Sequence, residues 1–299
     1  MTVPKEQADH EVIAGRTAQV GGLDIVRVLP TRGRRTVGAW CFVDLMGPDD
    51  AIRPDPMEVG PHPHIGLSTV TWLLDGEAVH HDSLGTEQSL VPGQLNLMTA
   101  GNGIAHAELS QPDERFRGVQ LWVAQPEGTR FGPNGFEHHG ELPEVDLGGA
   151  TGRLLVGELL GAVSPARADT PLVGLEVTGR SGLADVPLDP AFEHCVVPLD
   201  GTIAVGDAEV ADLGDIVVLG PGADEVQVDA HAGDRWLLLG GAPLGEDLRM
   251  WWNFVARTRD EITTAYEAWQ ARDTDRFADV AAPLDRIDAP RPPWLRSAE

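Results

Sequence analysis

The chain has 299 residues carrying 47 acidic and 22 basic side chains, a formal net charge of −25. So negative a molecule repels phosphate backbones and anionic lipid surfaces, which excludes direct nucleic-acid contact and electrostatic membrane docking. The opening run MTVPKEQADHEVIAG lacks the apolar centre of a leader and no later stretch approaches 18 uninterrupted apolar residues, so the expectation is a soluble, cytoplasmic protein.

Thirty-five glycines and 23 prolines in a chain that is 42% hydrophobic point to many tight turns around a filled core. In chain order, residues 23–29 (LDIVRVL), 67–74 (LSTVTWLL), 89–98 and 118–124 (GVQLWVA) read as strands, being short, rich in Val, Leu and Trp, and bounded by Gly, Pro or Asp. An acidic, Gly-rich stretch around 140–152 follows. A second set then covers 153–160, 171–177, 195–199, 202–205, 215–219, 225–229 and 236–240. Asp75-Gly76 and Gly93 in the first set recur as Asp200-Gly201 and Gly214 in the second, at offsets of 125 and 121, so the pattern reads as a duplicated β unit. The fold class is all-β. The first domain is placed at 1–145 and the second at 146–299.

Cys41 and Cys195 lie far apart and form no C-x-x-C pair, so both read as core thiols in a reducing compartment. Near 259–272 the period changes. Thr258 and Glu261 form a T-x-x-E capping box, and Ile262, Ala265, Tyr266 and Trp269 make one apolar stripe, which predicts a docked helix of about 14 residues. The Pro-broken APRPPWLRSAE after it reads as an extended tail.

The chemistry concentrates in 47 residues. His62 and His64 form H-x-H in GPHPHIG, and His106 and Glu108 form H-x-E in GNGIAHAEL. On a strand, residues i and i+2 leave the same face, so two such pairs on neighbouring strands surround one point with four donor atoms. Three neutral imidazoles and a carboxylate suit Fe(II), Mn(II), Ni(II), Cu(II) or Zn(II), and on an octahedral ion they leave two positions for water, O₂ or substrate. The second set of strands has no such pairs. Glu193, His194 and His231 stand apart there, and that unit is expected to be metal-free.

The run GPHPHIGLSTVTWLLDGEAVHHDSLGTEQSLVPGQLNLMTAGNGIAHAE, followed by RGVQLWVAQP, resembles the N-terminal signature of the pirin family, a branch of the cupin superfamily. LLLGGAPLGED and NFVARTRDEITTAYEAWQ resemble its C-terminal end and closing helix. The resemblance implies a bicupin, two antiparallel cupin β-barrels face to face with a C-terminal helix. It implies one metal in the N-terminal barrel, iron(II) before the other ions named, held by His62, His64, His106 and Glu108. Where the family often has a glutamate four residues after the second histidine this chain has Ser68, which offers a ligand histidine less support than a carboxylate would. His80, His81, Asp82 and Ser83 resemble the family's H-x-D-S region and either line the pocket mouth or close a polar hairpin. His10, His138 and His139 read as solvated, Trp122 as core, and Val70 and Trp72 as apolar walls on the side of His62 and His64 if no bulge intervenes.

Two functions follow from the resemblance. One is a quercetin 2,3-dioxygenase-type enzyme acting on a small aromatic substrate such as a flavonol, with Glu108 as the catalytic base that accepts the flavonol 3-hydroxyl proton. The other is a redox- or metal-sensing regulator that docks through its acidic surface on a protein partner, a transcription factor or a metabolic enzyme.

Overall fold

The computed structural model describes residues 10–49, 51–206 and 209–295. The first nine residues and the last four of the Pro-rich tail, on which the sequence also made readings, lie outside them. Among the described residues the chain is nearly all β with one helix, Arg259–Gln270, in keeping with the expected fold class. No helix is long and apolar enough to cross a membrane.

The residues group into two compact units, each drawn from separate stretches of chain. One takes the chain up to Arg16, Val26–Leu45 and Leu142–Leu244; the other takes Thr17–Ile25, Met46–Glu141 and Gly245 onward. The histidine motifs lie in the second of these. The segment after Leu244, helix included, groups with the histidine-bearing unit. The reason is the helix's own stripe. Ile262, Ala265 and Trp269 are buried in a cluster with Ile65, Ala105, Phe254 and Phe277.

In the histidine-bearing unit, Gly135–His139, Leu95–Thr99, Leu67–Asp75 and Arg117–Ala124 lie side by side in that order, and Glu58–His64, Ile104–Ser110, Ala78–Asp82 and Glu87–Leu90 form a four-stranded sheet. The expected strand 89–98 is thus two strands in two sheets. Between them Val91 to Gln94 make a tight turn, closed by the Gln94 amide donating to the Val91 carbonyl at 3.2 Å, with Pro92 fixing the entry and Gly93 at φ +88°. Glu58–His64 is an edge strand, which explains how GPHPH holds two prolines: at an edge, missing amide donors cost no ladder bonds.

The other unit is built on a sheet ordered Glu11–Ala14, Asp215–Val218, Glu193–Asp200, Arg235–Gly241, Leu172–Pro187, Glu225–Ala230, Ile203–Val205 and Glu209–Ala211. Leu172–Pro187 runs ten residues past its expected end because it bends. Its first half pairs with Arg235–Gly241 and its second, from Gly182 at φ +78°, with Glu225–Ala230. Val145, Leu154, Leu175, Val196, Val228 and Trp236 fill the core. Trp40 is fully buried, and its indole N–H is shared between the Val173 and Gly240 carbonyls at 3.2 and 3.0 Å. Cys41 and Cys195 are buried and form no disulfide with each other, as expected of core thiols.

Candidate metal centre

The H-x-H and H-x-E motifs fall on paired antiparallel strands. His106 stands opposite His62 and Ile104 opposite His64; one step on, Glu108 stands opposite Val59, so a bulge at Gly60-Pro61 interrupts the alternation. On the other side of Ile104–Ser110, His106 faces Asp82 and Glu108 faces His80. This register places three imidazoles from two strands on one point and a fourth histidine beside the carboxylate.

Donor atoms of His62, His64 and His106 all lie within 4.8 Å of one another, and so do those of His80, His106 and Glu108. Glu108 therefore sits with His106 and His80, and the tight trio is made of histidines alone. His64 Nε2 and His106 Nε2 are 3.0 Å apart. Two nitrogens at right angles on a metal, each about 2.1 Å from it, stand about 3 Å from each other, so the spacing fits a pair of adjacent ligands. The protonation states fit as well. Burial pushes the pKa of His62 down to about 4 and those of His64 and His106 well below the ordinary value, so all three rings are neutral at pH 7 with lone pairs to offer. His62 Nδ1 donates to the Gly60 carbonyl at 2.8 Å, which leaves its Nε2 bare.

Glu108 is a stronger base than an exposed glutamate, because burial raises its pKa. The Thr71 hydroxyl reaches Gln120 Oε1 at 2.9 Å and Glu108 Oε1 at 3.4 Å. Trp122 stands edge-on to His64, ring centroids 5.2 Å apart, and Phe136 stacks on His80 at 4.5 Å.

Several expectations need correction. The face of Leu67–Asp75 turned to the site carries Thr71, so Val70 and Trp72, both buried, project the other way. Parity counted from His64 fails because Gly66, at φ +68°, turns the chain between the two strands. Trp122 is buried, as its core reading expects, and also touches a motif histidine. His80 is buried in a strand and not at a hairpin tip, and the half-buried His138 is hydrogen-bonded to Asn96 Oδ1 at 2.8 Å. His81 lies on the opposite face of that strand from His80 and Asp82, and Ser83 Oγ receives the Ala105 amide. Ser68 hydrogen-bonds the Thr99 hydroxyl at 3.3 Å. In the other unit Glu193 accepts from the Gly38 amide at 2.7 Å, and His231 pairs with Asp234. Phe136 is the site residue the sequence reading missed, while His80, one of the residues offered for the pocket mouth, lies beside His106 and Glu108. The H-x-D spacing of His80 and Asp82 was the available signal, the same one-face pairing as in the two motifs.

A family model described as Pirin matches residues 22–123, and one described as Pirin C-terminal cupin domain matches residues 179–276. A Pseudomonas aeruginosa protein named "Putative quercetin 2,3-dioxygenase PA1205" is 44% identical over 98% of this chain and 95% of its own length. A Caulobacter vibrioides pirin-like protein is 36% identical over 87% of this chain and 92% of its own. Among solved structures, a quercetin 2,3-dioxygenase from Acinetobacter baumannii superposes with a TM-score of 0.91 at 39% identity, covering 96% of this chain and 97% of that one.

Proposed function

Since the chain belongs to the pirin family of bicupins, we propose that it is a metal-dependent dioxygenase of the quercetin 2,3-dioxygenase type, with a flavonol or similar small hydroxyaromatic as substrate. The observation that carries the proposal is the convergence of His62, His64 and His106 beside an acid whose environment favours proton uptake. The likeness to proteins named for that activity supports it.

His62, His64 and His106 would hold the ion, iron(II) first among the borderline divalent metals, and Glu108, beside His106, would be the fourth ligand. A metal bound there supplies Lewis acidity toward the substrate's oxygens and a centre for O₂ chemistry. The rest is done by the chain. Glu108 takes the 3-hydroxyl proton on a carboxylate oxygen, as a general base within hydrogen-bond reach of that proton would. The Thr71 hydroxyl meets that carboxylate at 3.4 Å. Trp122 and Phe136 keep the imidazoles in place and limit water around them.

Metal analysis of the purified protein should give one ion per chain, and His106→Ala should lose it; equal content in both would defeat the assignment. Iron-loaded protein incubated in air with quercetin should bleach the flavonol absorbance, and Glu108→Gln should slow this about 100-fold or more. No bleaching with any of Fe, Mn, Ni or Cu would refute the dioxygenase reading while leaving the metal site standing.

A further inference from the structure

We propose that Asp82, His80 and His106 form a hydrogen-bonded file that sets the tautomer of His106 and aims its Nε2 lone pair at the point shared with His62 and His64. His80 and Asp82 are then positioning residues of the centre. The proposal rests on the reading that the three histidines hold a metal, and it concerns two residues that reading does not use.

The file starts from an acceptor. Asp82 Oδ1 receives the backbone amides of Leu84 and Thr86 at 2.8 and 3.0 Å, and Oδ2 faces His80 Nε2 at 3.2 Å. A carboxylate so surrounded by donors is ionised and only accepts. The hydrogen between it and His80 therefore sits on His80 Nε2. A neutral imidazole with its proton on Nε2 has a lone pair on Nδ1, and His80 Nδ1 is 3.4 Å from His106 Nδ1. His106 must then donate from Nδ1, which leaves its Nε2 bare, and that is the nitrogen 3.0 Å from His64 Nε2. The Gly60 carbonyl does the same for His62 in one step.

The strand register explains why the file can exist. Asp82 is directly across from His106, and His80 two residues earlier leaves the same face. Phe136 stacks on the His80 ring with an interplanar angle of 24°, fixing its rotation so that one nitrogen meets each neighbour. Both His80 and Asp82 are buried, so water does not compete for either contact.

Two measurements test this. In metal-free protein carrying 15N-labelled histidine, long-range 1H–15N correlation should show His106 protonated on Nδ1. In Asp82→Asn the side-chain amide can turn its NH₂ toward His80 and reverse the file, moving the proton to His106 Nε2. Finding His106 protonated on Nε2 in the wild type overturns the proposal. The second measurement is Co(II) affinity by chelator competition, with the cobalt absorption bands reporting the ligand set. His80→Asn places an amide oxygen where Nδ1 stood and should bind within about threefold of wild type, whereas His80→Phe keeps the ring and its stacking but removes the acceptor and should bind about 10- to 100-fold more weakly. A merely space-filling role predicts the reverse order, and that order would overturn the proposal. Absence of Co(II) binding by the wild type would defeat the metal reading itself, while the tautomer measurement would still decide the file.

Discussion

His106 uses both ring nitrogens, one toward His64 and one toward His80, and Glu108 two residues on is met by Thr71, so the Ile104–Ser110 strand carries the most connected side chains of the site. The Thr71 hydroxyl is one of the groups that oppose the upward shift of Glu108. Thr71→Val should therefore raise the Glu108 pKa further. The acid limb of the kcat/KM profile should move to higher pH with metal content unchanged; an unmoved limb would show that the Thr71 hydroxyl does not bear on Glu108. At this scale the H-x-H and H-x-E motifs were legible because a period of two is local. The contacts of Trp122, Phe136 and His80 with the site were not, because which face of a neighbouring strand meets the motif depends on turns such as the one at Gly66, whose conformation a lone glycine does not announce.

The edge strand Glu58–His64 is held from outside by the segment that follows the helix. Ile287 donates its amide to the Pro61 carbonyl at 2.9 Å, and a Cβ on Gly60 would stand 2.0 Å from the Asp285 carbonyl oxygen. Gly60→Ala should push these backbones apart and, since the Gly60 carbonyl also holds His62, weaken metal binding together with stability. A cost of about 1–3 kcal/mol is expected, read as a lower denaturation midpoint and a higher Co(II) dissociation constant; a change in neither would mean the contact is not close in solution. The helix itself was legible, since Thr258 caps it and its apolar stripe is buried. The box, however, is used differently: the Glu261 carboxylate receives the Arg257 amide at 2.9 Å and the Arg130 guanidinium at 2.8 and 3.2 Å. Thr258→Ala should cost about 1 kcal/mol of thermal stability. The segment read as an extended tail is docked. Ala289 is buried, and Trp294 donates its indole N–H to the Thr263 hydroxyl at 3.0 Å. Single anchors in a proline run have no period to reveal them.

For the molecule as a whole, acid should be the destabilising direction. His62 in one unit and His194 in the other each have a folded pKa of about 4 against 6.5, chiefly through burial. Between those values the unfolded chain takes up protons that the folded chain refuses, so stability is full above about pH 6.5 and falls as the pH drops toward 4. From pH 7 to 5 His62 alone accounts for about 2 kcal/mol. The upward-shifted carboxyls Asp44, Glu108 and Glu176 act in the opposite sense nearer the carboxylate range. Calorimetry of metal-free protein should show a lower melting temperature at pH 5 than at pH 7.5, and a flat profile would mean the histidines are not buried as described. The two-unit β architecture was legible because strands and turns are local signals and a duplication shows as an offset. The ownership of segments was not, since it depends on contacts between residues more than a hundred positions apart. That ownership bears on biosynthesis. The unit with the histidine motifs recruits residues from Gly245 onward, and its companion recruits Val26–Leu45 from near the start. As the chain leaves the ribosome, the motif strands at 58–64 and 104–110 are finished long before the helix that covers Ile65 and Ala105. The nascent motif strands must wait, with Ile65 and Ala105 uncovered, for almost the entire protein to be translated.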